Sequence, residues 1–585
     1  MSPKSPKFIF AVLFCAIVNS SLAQIDTAFW FAVPQVGTHG NQNSELVLSN
    51  MSKTTVATVK ILNPAIMGKN RIGGAIGDTT LTIGINMSIR IDLNQYYGKR
   101  LNLGEANGSL YNINANTILN NGLFIKSTVE ITAFYELGRD VLGSAQGNNI
   151  EIFTLKGGNA LGSSFMLPFQ NHYETWSAEE SYSSANIVAT QDNTIISITP
   201  TQNAVGHPAG VPFSIVLNKG QTYSLRAAGL TANQHLSGTS VTSNKPIAIT
   251  LVDDSLVADF GGGIDMVGDQ IVPLNIIGQE YIVARGNAGN IVNGGGDRNR
   301  IFILTTQPNT NITISENNLI IQTFNTLNSG VTINYLQPTI APASYIKSDK
   351  SIYVFYVSGS GSELGGALVP PLLCTGSNRV NIIRSTAQEF QLIILAKNKI
   401  LNSFSFKKGG LAIPALMNTV DFKQVSTGPE GYSICIKSFP SGDVSQIPVM
   451  TPISIENSAG VYHASISVNG SASGSFACFS SFSRNSACVE DSLITSMESI
   501  KNFDNSSHFS VYPNPSKLNE PLKLIFDPLS TEKNITIINL NGAVVYQQNI
   551  SGNQTEIPAN ILSKGVYILK VIANDFVEFK KIAIQ

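Results

Sequence analysis

The sequence contains little charge and no excess of either sign. Charged residues make up 13% of the chain, and 37 basic residues against 38 acidic residues leave a formal net charge of −1. Binding to nucleic acid or to an anionic membrane surface depends on clustered positive charge. The composition therefore gives no electrostatic support for either kind of partner.

Sequence signatures of catalysis are also missing. The six histidines stand singly, without the spacing of a zinc-binding pair, at His39, His172, His207, His235, His463 and His508. No G-x-S-x-G nucleophile elbow occurs. We therefore predict that the chain is not an enzyme and has no catalytic or cofactor-binding residues.

No stretch of the chain has the hydrophobic periodicity of a helix of ordinary length. Short apolar runs separated by turn-forming residues occur instead, and the chain contains 49 glycines. Low charge combined with this pattern is typical of an exported β protein. We expect an all-β fold.

The first 23 residues have the pattern of a secretory signal peptide. Lys4 and Lys7 precede an apolar run from Phe8 to Val18, and small residues follow at 21–23. The run is too short to span a bilayer as a stable helix. We expect the mature chain to begin at Gln24 and to contain no transmembrane segment.

Between Gln24 and about Ser486, four segments share one pattern, which we interpret as two strands joined by a turn marked by Ser or Asn. The segments are 122–137, 238–252, 343–357 and 452–468. Aligning Ile131, Ile247, Ile352 and Val461 gives spacings of 116, 105 and 109 residues. A second hairpin recurs upstream of each segment. These features predict four tandem β repeats, at about 24–140, 150–256, 265–360 and 366–486.

Strands within these repeats differ in their apolar pattern. "IFILTT", "LIILA", "PIAITLV" and "SIYVFYV" are apolar on both faces, so their sheets need cover on both sides. "NITIS" and "TIISIT" alternate, as outer strands do. We therefore expect the repeats to pack compactly in a propeller-like ring. Their length also suits an array of immunoglobulin-sized β-sandwiches.

Four cysteines remain after the predicted signal peptide, and four cysteines allow three pairings: Cys374, Cys435, Cys478 and Cys488. Cys435 and Cys478 lie in mid-strand and are candidates for a cross-strand disulfide. That pairing leaves Cys374 with Cys488. The oxidising compartment of an exported protein favours disulfides, and buried free thiols are the alternative.

An acidic segment from Asp253 to Gln270 is the candidate metal site. Its carboxylates surround a run of three glycines and are Asp253, Asp254, Asp259, Asp265 and Asp269. Calcium takes about six to eight oxygen ligands, so a structural Ca²⁺ ion is chemically suited to this segment. The spacing does not match the helix-flanked calcium loop, and a solvated acidic loop is the alternative interpretation.

The segment 171–184 combines acidic and aromatic side chains, as a sugar-binding groove does. Glu174, Glu179 and Glu180 lie near Trp176 and Tyr182. Ordinary loop composition explains the same pattern. These glutamates, together with Glu136, are also the carboxylates available to a glycosidase, whose two acids need only be close in space.

Residues 509–585 have the short alternating strands of a small immunoglobulin-like β-sandwich, with a hairpin predicted at Asn541–Gly542. The segment closely resembles the type A C-terminal sorting domain of the type IX secretion system of Bacteroidota. The residues that carry this resemblance are Tyr512, Pro513, Asn514, Pro515, Asn541, Gly542, Gly565, Lys580 and Lys581. The resemblance implies handling by the type IX machinery at the outer membrane. The polar stretch 489–508 is interpreted as a linker.

The repeat region resembles the IgGFc-binding domain family. The resemblance rests on "LSGTSVTSNKPIAITLVDD" followed by "DQIVPLNIIGQEYIVARG", and on "ALVPPLLCTGSNRVNII", which contains Cys374. It implies an extracellular binding or adhesive role.

We therefore predict a secreted or surface-displayed adhesion protein that reaches the outside of the cell through the periplasm. Its repeats are expected to bind an extracellular protein or glycan. The alternatives are an exported polysaccharide-active enzyme and a structural surface or matrix protein without a discrete ligand.

Overall fold

The computed structural model describes residues 25–36, 43–65, 79–93, 115–139, 151–176, 181–258, 264–286, 299–317, 319–338, 341–360, 363–373, 375–425, 431–469, 474–480, 482, 509–526, 533–539, 544–558, 560–573 and 577–585. The predicted signal peptide and linker lie outside these residues. The fold is all-β, as predicted. The chain divides into two compact units, residues 1–486 and 487–585.

The described residues of the first unit contain 31 strands, 15 in a first group up to residue 270 and 16 in a second group after it. The first group is β1 Ile25–Ala32, β2 Asn43–Asn50, β3 Ala57–Leu62, β4 Thr79–Ile83, β5 Ser88–Asp92, β6 Ile118–Leu119, β7 Gly122–Arg139, β8 Glu151–Thr154, β9 Gly162–Met166, β10 Ser183–Ala189, β11 Thr194–Thr199, β12 Phe213–Leu217, β13 Thr222–Arg226, β14 Ser240–Val257 and β15 Ile264–Gln270.

The second group is β16 Gly278–Ala284, β17 Arg300–Thr305, β18 Thr310–Glu316, β19 Leu319–Thr326, β20 Thr332–Leu336, β21 Ala343–Ser360, β22 Glu363–Leu368, β23 Arg379–Ile383, β24 Glu389–Lys397, β25 Phe404–Lys408, β26 Leu411–Ile413, β27 Lys423–Gln424, β28 Tyr432–Phe439, β29 Pro452–Asn457, β30 Tyr462–Asn469 and β31 Gly474–Cys478. Short 3-10 helices occur at Gly157–Ala160, Ala232–Gln234, Asn398–Ser403 and Thr419–Asp421.

One strand order recurs in three sheets, each built around an 18-residue strand. The orders are β4-β3-β7-β2-β5, β12-β11-β14-β10-β13-β6 and β19-β18-β21-β17-β20. Two further strands also pair with each long strand: β1 and β8, β9 and β15, and β16 and β22. In the last part of the unit, a related order is divided between the sheets β23-β29-β25-β26 and β27-β28-β24-β30-β31.

The pairing register supports the predicted repeat alignment. Ile131, Ile247 and Ile352 lie opposite the last residue of β2, β10 and β17, respectively. The aligned isoleucines therefore occupy equivalent positions in three sheets. The count of four repeats stays a prediction, which this recurrence supports.

The predicted turn between two strands is wrong for the first three aligned segments and is confirmed for the fourth, where β29 and β30 are separate strands. The strands predicted as a second hairpin in each repeat do not pair with each other. Three of the aligned segments lie in the continuous strands β7, β14 and β21 rather than folding back on themselves. Their Ser-marked residues form irregularities opposite β1, β9 and β16, where the register shifts. Upstream strands such as β2 and β3 pair with the long strand between them. Each half of a long strand thus satisfies its backbone with different partners.

Burial follows the predicted apolar pattern. β17 and β24 are buried along nearly their whole length, and β11 and β18 alternate between buried and more exposed residues. Strands that are apolar on both faces are therefore covered on both sides, as expected for packed sheets.

Four apolar cores follow one another around the first unit. The core of the first sheet includes Met266 of the second, and that of the second includes Tyr353 of the third. The core of the third sheet includes Phe476 of the last part of the unit. The core of that last part includes Phe134 of the first sheet. The cores close a cycle, in agreement with compact, propeller-like packing.

The strands β8, β15, β22 and β31 contact one another in turn at the centre of this cycle, and β31 meets β8. Their backbones approach closely at glycines. A Cβ atom added at Gly365 would lie 2.3 Å from the Cα of Ser475. Glycine is therefore required there by the distance between the two strands.

The second unit contains two sheets around one core. Its strands are β32 Phe509–Tyr512, β33 Leu522–Phe526, β34 Lys533–Asn539, β35 Val544–Ile550, β36 Gln554–Ile557, β37 Gly565–Ala573 and β38 Val577–Ile584. The sheet orders are β32-β33-β36 and β35-β34-β37-β38. Antiparallel pairing of β34 with β35 confirms the predicted hairpin, whose turn residues Asn541 and Gly542 lie outside the described residues.

Candidate functional site

The four described aspartates of the acidic segment lie on strands. Asp253 and Asp254 belong to β14, Asp265 and Asp269 belong to β15, and all four are at most 2% exposed. The interpretation as a solvated loop is wrong for these residues, because all four are buried and belong to strands. Asp259 lies outside the described residues.

Two of these carboxylates join neighbouring central strands. Asp265 accepts a hydrogen bond from the backbone N–H of Leu364 at 2.6 Å, and Asp269 accepts one from that of Leu368 at 3.0 Å. Both donors belong to β22, which pairs with a different long strand. The side chains thus supply hydrogen bonds between β15 and β22, which are not paired by backbone ladders.

A third carboxyl group completes this acidic centre. Glu151 of β8 is fully buried, and it accepts a hydrogen bond from the backbone N–H of Gly366 at 3.1 Å. Burial, and then the nearby Asp265, raise the pKa of Glu151 well above its ordinary value. Burial, and then Glu363, raise the pKa of Asp265 in the same way. Sequence reasoning missed Glu151 and Glu363, which lie far from the acidic segment along the chain.

The aspartates do not converge on a common point. The side chain of Asp253 lies 3.4 Å from Nδ1 of His235, and that of Asp269 lies 2.8 Å from Nζ of Lys156. Among the residues that the structure describes, no group of three or more His, Cys, Asp or Glu side chains is placed to hold a metal ion. The predicted Ca²⁺ ion stays a prediction.

The described histidines differ in their surroundings. The ring of His207 stacks on that of Phe213 with 3.4 Å between centroids. Burial lowers the pKa of His463 to about 4. For His235, burial lowers the pKa, but the carboxylate of Asp253 and hydrogen bonds outweigh it, so the net shift is upward. These environments are those of packed, hydrogen-bonded side chains.

Glu136, one of the predicted glycosidase candidates, is fully buried in an ion-pair network. The guanidinium of Arg90 lies 3.0 Å from Glu136 and 2.6 Å from Glu45. Ser385 donates a hydrogen bond to Glu136 at 2.8 Å and accepts one from Arg90 at 2.7 Å. This network joins the first sheet to the last part of the unit. The candidates Glu179 and Glu180 lie outside the described residues.

Trp176 is exposed at the end of the long strand β14. Its side chain is 44% exposed, and Val257 and Leu230 beside it are 37% and 36% exposed. Glu174, also exposed, accepts a backbone hydrogen bond from Val257 at 2.8 Å through its carbonyl. We call Trp176, Leu230 and Val257 the Trp176 patch.

Backbone hydrogen bonds assemble this patch from three segments. The N–H of Thr175 donates to the carbonyl of Leu230 at 2.8 Å, and the N–H of Trp176 donates to that of Ser255 at 2.8 Å. Ser255 has a φ of 51°, at the position where β14 shifts its register against β15. The irregularity lies where the segment containing Trp176 takes over from β10 as the neighbour of β14.

The predicted disulfide between Cys435 and Cys478 is wrong. The two cysteines lie on β28 and β31, with β24 and β30 between them in the sheet, and neither forms a disulfide. Three strand spacings amount to about 14 Å, whereas a disulfide needs Cα atoms within about 7 Å. Burial raises the pKa of the two thiols to about 11 and about 12. Cys374 and Cys488 lie outside the described residues, so their pairing stays a prediction.

The predicted sorting motif brings the two ends of the second unit together. Asn514 accepts a hydrogen bond from the backbone N–H of Ala583 at 3.0 Å. The ammonium of Lys580 donates to the carbonyl of Phe509 and lies 4.5 Å from the centre of its ring. Tyr512 is 45% exposed. The opening segment is thus anchored on the last strand, to which Lys581 also contributes its backbone.

No helix among the described residues is long and apolar enough to cross a membrane.

Residues 153–480, more than half of the chain, match the family model described as IgGFc binding protein. The chain belongs to this family. Residues 510–585 of this IgGFc binding family member match the secretion system C-terminal sorting domain. Both resemblances seen in the sequence are thereby confirmed. The sorting tail directs the protein to the cell surface or the medium through the type IX machinery.

Solved structures are similar to this family member only at a low level. The BSP domain of a biofilm associated protein is 8% identical, with a TM-score of 0.13, over 73% of this chain and 81% of that chain. Native alpha-2-macroglobulin of E. coli is 8% identical, with a TM-score of 0.13, over 97% of this chain and 39% of that chain. Dimeric latent PorU of Porphyromonas gingivalis is 11% identical, with a TM-score of 0.11, over 56% of this chain and 36% of that chain. No curated protein matches the chain.

Proposed function

We propose that this protein is a non-enzymatic adhesin whose first unit binds an extracellular glycan through the Trp176 patch. The observation that carries the proposal is the exposure of Trp176 beside the exposed aliphatic residues Leu230 and Val257, with the exposed Glu174 two residues earlier in the chain. Tryptophan supplies a large apolar face and is enriched in contact surfaces. A sugar ring has both an apolar face for stacking and hydroxyl groups for a carboxylate.

The location of the patch supports binding. It lies on backbone that hydrogen bonds hold to the end of β14, so its aromatic side chain is presented by a fixed scaffold. Membership of the IgGFc binding protein family and the sorting tail are consistent with a surface protein that contacts material outside the cell.

The carboxyl groups also favour binding over hydrolysis. Glu136 is engaged with Arg90 and Ser385 in the interior, and Glu151 and Asp265 are buried at the centre of the unit. A glycosidase needs two carboxyl groups at either side of an accessible bond. These three acids are therefore better explained as parts of the scaffold.

A glycan and host-protein array probed with the mature protein tests the proposal. We expect saturable glycan binding by the wild type, at least about tenfold weaker binding by Trp176→Ala, and unchanged binding by Leu411→Ala. Leu411 is a matched control because it is 75% exposed on a different sheet. Equal glycan binding by the two variants would show that the Trp176 patch is not the binding site.

The other functions give different results in the same experiment. Degradation of an arrayed glycan would favour a polysaccharide-active enzyme. Binding to proteins alone would replace the glycan as ligand. A panel without any binding would favour a structural surface component.

A further inference from the structure

The outer strand β19 has an open edge that is unusually apolar. β19 is the terminal strand of its sheet and, among the described strands, pairs with β18 only. Leu319, Ile320 and Ile321 are 66%, 68% and 48% exposed, and Leu327, directly after the strand, is 73% exposed. An open edge with exposed aliphatic side chains is a template for pairing with another strand.

Corresponding outer strands carry features that discourage such pairing. β12 lies between Pro212 and Lys219, Pro414 follows β26, and Asp78 precedes β4. Charged residues and prolines at sheet edges hinder the addition of further strands. From Leu319 to Leu336, by contrast, the sequence contains neither a charged residue nor a proline. β19 is therefore the outer strand of these four with the least protected edge.

The pairing geometry shows which part of the edge is regular. The register between β18 and β19 shifts after Ile314, so Ile321 lies at a bulge. From Gln322 to Thr326, each residue of β19 has a partner on β18 in continuous register. This part presents an ordinary antiparallel edge, with the exposed Leu319–Ile321 segment next to it.

We propose that β19 is a self-association surface, on which β19 of a second copy of this chain pairs antiparallel across a two-fold axis. Antiparallel pairing of two identical strands is isologous, so it uses the same surface on both copies and closes at two. An uncharged strand meets no repulsion from its own copy. With the axis at Phe324, the centre of the regular edge, Ile321 of each copy lies opposite Leu327 of the other, so these two exposed side chains would cover each other.

The absence of charge also favours a second copy over a lipid surface as the partner of β19. Peripheral membrane binding normally combines an apolar face with flanking basic residues. No basic residue occurs from Leu319 to Leu336. A second copy of the same neutral strand is the occupant that these residues fit best.

Analytical ultracentrifugation of the full mature chain over a range of concentrations tests the proposal. We expect a reversible dimer for the wild type, and at least about tenfold weaker self-association for Ile320→Lys, because each lysine would place a charge in an otherwise neutral, apolar end of the paired strands. Val216→Lys is the matched control, since Val216 is 52% exposed on the corresponding strand β12. We expect this control to remain dimeric.

Amide hydrogen exchange provides the second measurement. At high protein concentration, slower exchange should be confined to β19 in the wild type and absent in Ile320→Lys, with unchanged melting temperatures for both variants. A wild type that stays monomeric, equal effects of the two lysine variants, or protection elsewhere would overturn the proposal. Monomeric protein that binds neutral lipid vesicles or an extended peptide at β19 would overturn it as well.

Discussion

The Nζ of Lys156 lies 2.8 Å from Oδ1 of Asp269, in a region where both side chains are almost completely shielded from solvent. Lys156 follows the central strand β8, and Asp269 belongs to the central strand β15, so the ion pair joins two sheets. Burial lowers the pKa of Lys156 and raises that of Asp269, and in each case the partner opposes this effect. Lys156 thus supplies a positive charge to the buried acidic centre that also contains Glu151 and Asp265.

Replacing Lys156 by methionine should destabilise the first unit by about 3–5 kcal/mol, because Asp269 would be left buried without its cation. Urea unfolding of the mature protein measures this loss. The exposed Lys219→Met variant should stay within about 0.5 kcal/mol of the wild type. Adding Asp269→Asn to Lys156→Met should recover part of the stability, and a loss equal to that of the control would contradict a structural role of the pair.

The raised carboxyl pKa values predict a dependence of stability on pH. Because the pKa values of Glu151 and Asp265 are higher in the folded chain than in the unfolded chain, the folded chain binds more protons above about pH 4. Their contribution is complete below the ordinary carboxyl pKa and is lost as the pH rises through the folded values.

Glu151→Gln should therefore gain stability relative to the wild type as the pH rises from about 4 to about 8. Urea unfolding at several pH values measures the difference between the two proteins. The exposed Glu174→Gln variant serves as the control and should follow the wild type. Parallel pH profiles for wild type and Glu151→Gln would show that Glu151 has no raised pKa.

The Arg90 network predicts that the contact between the first sheet and the last part of the unit depends on the guanidinium of Arg90. Arg90→Met should cost about 3–5 kcal/mol, since Glu45 and Glu136 would remain buried without a cation. Lys347→Met removes an exposed ion pair, with Glu280 at 3.2 Å, and should cost less than about 1 kcal/mol. Thermal and urea unfolding compare the two variants, and similar losses would argue against a closing role for Arg90.

The separation of Cys435 from Cys478 predicts two buried thiols. Alkylation of the native protein should label neither cysteine, because both are buried and their thiol pKa values are raised. Alkylation after unfolding without reductant should label both. Peptide mass spectrometry identifies the labelled residues, and a Cys435–Cys478 linked peptide would contradict the strand order of this sheet.

Deletion of residues 509–585 should leave the first unit folded but retained in the periplasm, because the sorting domain is a separate compact unit. Cell fractionation with an antibody against the first unit measures its location, and circular dichroism of the purified fragment checks its fold. A truncated protein that still reaches the cell surface would contradict the sorting assignment.

Strand positions and burial were largely predictable from local sequence. Apolar runs such as "IFILTT" became buried strands, and alternating runs such as "TIISIT" became strands with alternating burial, because side chains on a strand alternate between its faces. The pairing of these strands was not predictable in the same way. The Ser-marked positions have the composition of turns, yet they form irregularities within β7, β14 and β21, because separate partners hold each half of these strands.

The candidate sites show the same division. The acidic segment was visible in sequence, but its polarity predicted exposure, whereas packing of the central strands buries Asp265 and Asp269 against β22. Exposure of Trp176 was consistent with its polar surroundings. The open apolar edge of β19 had no local signal that distinguished it from a buried strand.

By itself, the sequence determined the all-β class, the approximate strand positions, the family of the first unit and the sorting tail, since these depend on local alternation and on motifs of adjacent residues. Tertiary structure alone decided which strands pair, which carboxyl groups are buried and how the cycle closes. Ser385 and Glu136, for example, are hydrogen-bonded across 249 residues of chain. Such contacts depend on the packing of whole sheets, which no local pattern specifies.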